Sequence, residues 1–314
     1  MTNETQLQNY VHLLVVSPDF AADSTCFAAR NSGLLRSTDG GRSWQDAYES
    51  MDLQSQLPTS AVALSPDFQR DGHLFAGAPG GILRSLDRGD TWQVALLGSP
   101  PPFVSDLAVS PNYRRDGTLF AATLDDGVFR SADRATSWAS WNFGLLDLAV
   151  MALAISPGYT DDETLYAATE TGIFRSTNGG RAWRELAFPT DLAPVLRLAI
   201  SPDFAEDKTI FAGTELNGLF RSRDSGQTWF PLGQDELAGA INGIVLSPQY
   251  PEDPSLLVLR GDSVMVSRDD GESWEARSLD LTPQGVVSAV AAPWGFHPSA
   301  PLLLGLIGGE LLRL

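Results

Sequence analysis

The chain is poor in cysteine, in histidine and in positive charge, and each shortage removes a class of function. A lone cysteine, Cys26, excludes an intramolecular disulfide, and its place in the apolar run TCFAA reads as a core thiol. His12, His73 and His297 fall in different parts of the chain, so neither a zinc site nor a Ser-His-Asp set can be assembled from them. Only 21 Lys and Arg stand against 39 Asp and Glu, a formal net charge of −18 that repels phosphate backbones and anionic membrane surfaces. Nucleic acid is therefore not an expected partner. No apolar run is long enough to span a bilayer, so no membrane insertion is expected. The opening residues MTNETQLQNY carry neither a basic nor an apolar signal region, which places the chain as written in the cytoplasm; a secreted or periplasmic protein with its signal removed would read the same.

What the chain has instead is repetition. Hydrophobic residues make up 43%, and Gly 29 with Pro 20 points to many turns rather than long helices. The phrases STDGGRSW, SLDRGDTW, SADRATSW, STNGGRAW, SRDSGQTW and SRDDGESW end at Trp44, Trp92, Trp138, Trp183, Trp229 and Trp274, with spacings of 48, 46, 45, 46 and 45. That period fits a four-stranded blade of about 40–50 residues. Within one unit VSDLAVSP reads as an innermost strand, TLFAAT as the second, GVFRS as the third and SWASW as the outermost. Such a sheet has two apolar faces and must stack on neighbours around an axis.

The expected fold is thus all-β, a seven-bladed β-propeller of four-stranded antiparallel blades in one domain over 1–314, the alternative being six blades with an irregular tail. Blades are expected near 11–58, 59–103, 104–149, 150–194, 195–240, 241–285 and 286–314, the last completed by 1–10. The final segments VVSAVAAP, PLLLGLIG and GELLRL repeat three strands without a terminal phrase, and a fourth strand is expected around Thr2 to Leu7.

The phrase S-x-D-x-G-x-x-W is the Asp box, and the chain resembles Asp-box propellers (the BNR or sialidase-type repeat), similar to sortilin-like, xyloglucanase and photosystem II assembly propellers. Its residues read as turn staples: Asp39 with Trp44, Asp87 with Trp92, Asp133 with Trp138, Asn178 with Trp183, Asp224 with Trp229, and Asp269 with Trp274. Asn178 keeps a carbonyl acceptor, whereas Ala135 stands where a glycine is expected and predicts a strained turn. One carboxylate per blade is too few for calcium, which takes six to eight oxygens, so no metal and no cofactor are expected. Arg36, Arg84, Arg130, Arg175 and Arg221 share one repeat position and read as scaffold with a single structural explanation.

Function is expected where the repeats differ. Aligned on their prolines, the inner strands place Leu13, Ala61, Asp106, Ala152, Arg197, Gly243 and Ser288 in one ring, in which Asp106 and Arg197 are the odd members. The neighbouring loops add Arg30, Asp125, Asp126, Glu170, Glu215 and Arg260 as candidate ligand-binding residues. The family resemblance raises a sialidase, for which Arg30, Arg197 and Arg260 would supply an arginine triad, but no Phe-Arg-Ile-Pro motif precedes the first box and only Tyr10 could serve in the channel. The expected function is a monomeric, non-catalytic recognition or assembly module that binds a protein, peptide or glycan at the loop face. The alternative is a glycoside hydrolase or other propeller enzyme using Asp106, Arg197, Asp125 and Glu170.

Overall fold

Short runs of alternating or wholly apolar residues, separated by turn residues every few positions, fold here as seven antiparallel sheets. The computed structural model describes residues 9–98, 100–279, 281 and 285–314. Six sheets have four strands in simple up-and-down order, and the seventh has three among the described residues: Val287–Ala291, Leu303–Leu306 and Leu311–Arg313. The fourth strand expected around Thr2 to Leu7 lies outside the described residues. Blade three shows the common plan, with an inner strand Val104–Val109, a second Leu119–Thr123, a third Gly127–Ser131 and an outer Ala139–Ser140. Among the described residues no helix is long and apolar enough to cross a membrane.

Burial follows position in the blade. The second strands, such as LFAAT in blade three, are buried throughout except at the terminal Arg30 and Arg260, because both faces lie under neighbouring blades. Apolar residues gather into seven clusters, one at each interface between consecutive blades, and the last joins blade seven to blade one. Approach at that closing interface is close: a Cβ on Gly305 would stand 2.4 Å from Val11 Cγ1. Cys26 is buried in the same cluster, and burial pushes its thiol up to about 12.

Two kinds of turn recur on the face away from the channel-entry loops. In the first, Asp39 Oδ1 accepts the N–H groups of Arg42 and Ser43 at 3.0 Å, its Oδ2 accepts the Ser43 hydroxyl at 2.7 Å, and Ser37 Oγ accepts Gly41 N–H at 2.9 Å. Asn178 repeats one of the two Oδ1 amide contacts, accepting Ala182 N–H at 2.9 Å. Ala135 adopts φ +60° with its methyl buried, so the strain expected at that turn is present. The second turn follows the inner strands of blades one to six, where, in blade three, Ser110 Oγ donates to Asp116 Oδ2 at 2.7 Å and Tyr113 is buried below. That arrangement recurs from Ser17–Asp23 to Ser247–Asp253, a repeating carboxylate that composition alone does not distinguish from solvated polar residues.

Blades are also clamped at their outer edges. Arg36, Arg84 and Arg221 each reach into the next blade's turn and donate to the carbonyls of Arg88 at 2.7 Å, Arg134 at 3.0 Å and Asp270 at 2.5 Å. Arg313 of blade seven donates in the same way to the Gly40 carbonyl of blade one at 3.2 Å. The single explanation expected for the arginine row fails for two members. Arg130 lies 4.4 Å over the Trp141 ring and Arg175 5.7 Å over Tyr166, whose hydroxyl donates to the Ser225 carbonyl at 3.0 Å in the arginine's stead.

Candidate functional site

The inner strands surround the axis, and at one end they enclose a cavity of about 260 Å³ whose polar lining is His12, Ser60, Ser105, Asp106, Arg197 and Asn242, with Ser288 beside them. Six inner strands carry a register shift after their first residue, which turns one extra side chain toward the neighbouring blade. Hydroxyls at this position make blade-to-blade bonds: Ser60 Oγ donates to the Val104 carbonyl at 2.5 Å, Ser105 Oγ to Val150 at 2.5 Å and Ser288 Oγ to Val11 at 2.9 Å. Ser288 therefore belongs to this row, and Ala289, paired with Gly305, takes the ring position expected for it. Blade seven is one residue shorter between that serine and its proline, which misplaces an alignment made on proline.

Asp106 and Arg197 do line one cavity, and both are engaged with backbone. Asp106 Oδ1 accepts Leu107 N–H and its Oδ2 accepts Leu153 N–H across the blade boundary, each at 2.8 Å. Burial pushes the Asp106 carboxyl above the ordinary range, while the Leu153 and Leu107 amides and the Arg197 charge pull it down less strongly. Arg197 Nε donates to the Asn242 carbonyl of the next blade at 2.9 Å, and its Nη1 to the Leu196 carbonyl at 2.8 Å. Above them His12 shares a 2.6 Å hydrogen bond with Asn31 and packs on Tyr10, with ring centroids 5.2 Å apart.

The other candidates stand apart from this lining. Asp125, Asp126, Glu170 and Glu215 are exposed on the loops. Arg30 donates to the Gly309 carbonyl at 3.3 Å and Arg260 to the Ala238 carbonyl at 3.4 Å, so the three arginines considered as a triad serve three separate contacts. Trp141 is a packing residue, its carbonyl accepting the Trp183 indole N–H at 2.7 Å. Among the described residues no group of three His, Cys, Asp or Glu is placed to hold a metal ion. At the far end of the channel a larger cavity of about 780 Å³ is mostly apolar, lined by Val16, Phe20, Val245, Val290, Ala292 and Phe296.

No family model matches the chain, and no curated protein matches it. Solved structures do. The GH74 xyloglucanase from Xanthomonas campestris is similar over 98% of this chain and 52% of its own, with a TM-score of 0.71 and 18% identity. YCF48 bound to D1 peptide matches over 98% of this chain and 94% of its own, with a TM-score of 0.70 and 15% identity. YCF48 from Cyanidioschyzon merolae gives a TM-score of 0.68 at 15% identity, covering 98% and 96%. The chain spans about half of the xyloglucanase and nearly all of each YCF48. At these identities the likeness is one of fold, a seven-bladed propeller.

Proposed function

We propose that this chain is a non-catalytic recognition or assembly module with repeats of the Asp-box type, binding a protein, peptide or glycan at its loop face. One observation carries this: the two unusual residues of the channel, Asp106 and Arg197, are each bonded to the backbone of their own strand and of the next blade. They act as ring clips, and among the described residues no second carboxylate lines that cavity. Glycoside hydrolysis needs two carboxyl groups flanking one bond, about 5–10 Å apart across the retaining and inverting classes. A protein or peptide partner is favoured over a glycan because YCF48, a propeller of nearly the same extent, is seen with a peptide.

The competing enzymatic role draws on the xyloglucanase likeness and on the raised carboxyl of Asp106, a feature shared with general acids. The test pairs two measurements on the wild type and on Asp106→Asn, which keeps an acceptor for Leu153. A recognition module gains melting temperature with a peptide or glycan library and releases no reducing ends from xyloglucan. Release of reducing ends that falls at least about a hundredfold in Asp106→Asn would overturn the proposal.

A further inference from the structure

Charge differs between the two loop faces, and several of the most exposed apolar side chains sit on one of them. Because strands run up and down within each blade, the loops joining second to third strands and those leading to the next blade emerge together. On blades three to five these are residues 124–126, 141–149, 170–172, 186–194, 215–218 and 233–240. They hold eight carboxylates and no lysine or arginine, although Arg260 of blade six donates to the Ala238 carbonyl of this face. The turns of the opposite face carry Arg70, Arg88, Arg114, Arg134, Arg181 and Lys208 among their acids.

Large apolar side chains sit on this acidic face. Phe143 and Leu146 are each 80% exposed and Leu216 is 70% exposed. Hydrogen bonds tie their loops into one arc from blade three to blade five: Gly127 N–H to the Leu148 carbonyl at 3.0 Å, the Thr171 hydroxyl to Asp147 at 2.8 Å, and Glu215 N–H to the Pro194 carbonyl at 3.0 Å. At the blade-five end lies a groove of about 360 Å³ lined by Leu192, Leu216, Phe220, Leu232 and Leu237.

We infer that this arc docks a basic, amphipathic polypeptide segment, an apolar anchor seating beside Leu216 while flanking Lys or Arg side chains face Glu215, Asp235 and Glu236. Apolar anchors in pockets supply most of such binding energy, and charges at the rim set encounter rate and partner choice. Eight loop carboxylates outweigh the Arg260 guanidinium, which is held on the Ala238 carbonyl, and repel acidic peptides and anionic lipid, and a second copy of the chain would bring the same carboxylates to the contact. The inference rests on the recognition role proposed above and names its partner class.

The experiment follows the anisotropy of a fluorescein-labelled amphipathic leucine–lysine peptide on the full chain. Glu215→Lys/Glu236→Lys is compared with Asp161→Lys/Glu206→Lys, which changes net charge equally on exposed residues of the opposite face. Binding is expected to weaken at least about tenfold in the first pair and less than about threefold in the second. Leu216→Gln should also weaken it about tenfold with no change in unfolding midpoint, since that side chain is exposed. Equal losses in both charge pairs, or full affinity in Leu216→Gln, would reduce the attraction to a diffuse one and sink the inference. So would a wild-type dimer on size exclusion that Leu216→Gln dissociates. If the leucine–lysine peptide fails to bind while neutral peptides or glycans still raise the melting temperature, this inference falls and the recognition role survives; xyloglucan turnover would remove the role itself.

Discussion

The repeated turn is a small device in which one carboxylate collects two hydroxyls and one or two backbone amides, and blade four shows that its parts vary together. Where five turns have Asp, four residues later stands Ser or Thr; where Asn178 replaces Asp, the hydroxyl residue is replaced by Ala182. An amide nitrogen in the second position cannot accept the hydroxyl, and with both replaced the Ser176 hydroxyl and the Ala182 amide still donate to Oδ1. Asn178→Asp and Ala182→Ser should each change stability little alone, yet together restore a hydroxyl–carboxylate bond with a coupling of about 0.5–1.5 kcal/mol. A double-mutant cycle in urea measures it. A coupling below about 0.3 kcal/mol would mean that the hydroxyl and carboxylate do not act as a pair.

At the scale of the blade, stability depends on how each sheet grips the next. The third-strand arginine that reaches a neighbour's turn carbonyl is a charge-assisted bond across an interface otherwise made of apolar contacts. Arg313 makes the corresponding contact at ring closure, where the described seventh sheet has three strands and the first blade's Gly40 accepts. Arg313→Ala should cost about 1.5–3 kcal/mol and speed amide exchange in Val287–Arg313 above that in the central blades. Hydrogen-exchange mass spectrometry reads this directly. Exchange unchanged in those strands would show that apolar packing against Val11 alone holds the closure.

For the whole molecule, acid is the informative perturbation. The Ser43 hydroxyl and amide hold Asp39 well below the usual carboxylate range, hydrogen bonds headed by Ser137 hold Asp133 at about 2, and Ser273 depresses Asp269 in the same manner. Because these folded-state values lie below the unfolded one, their stabilisation is complete above about pH 4 and is lost as pH falls toward about 2. Asp106 runs the other way: its raised carboxyl favours the fold at low pH, and that contribution fades as pH rises through its folded value. The depressed turn carboxylates outnumber it, so the melting temperature is expected to hold from neutrality to about pH 5 and drop between about pH 4 and pH 2. A melting temperature that rises on acidification would mean that relief of the −18 self-repulsion outweighs the turns.

The blade period, the strand order within each blade and the identity of the turn residues were legible in the sequence because each depends on neighbours a few positions away: φ freedom at Gly41, an acceptor at Asp39, alternation along a strand. Seven blades followed from counting. What the sequence left open depends on the next blade. Whether Asp106 meets a ligand or Leu153, whether Arg130 reaches a carbonyl or lies on Trp141, and whether Ser288 or Ala289 faces the axis are set by contacts across interfaces. The grouping of Phe143, Leu146 and Leu216 on one acidic face was likewise invisible in a chain whose acids and apolar residues are spread along its length. Local geometry wrote the repeat; closure of the ring decided which of its exceptions look inward, which clamp, and which remain open to a partner.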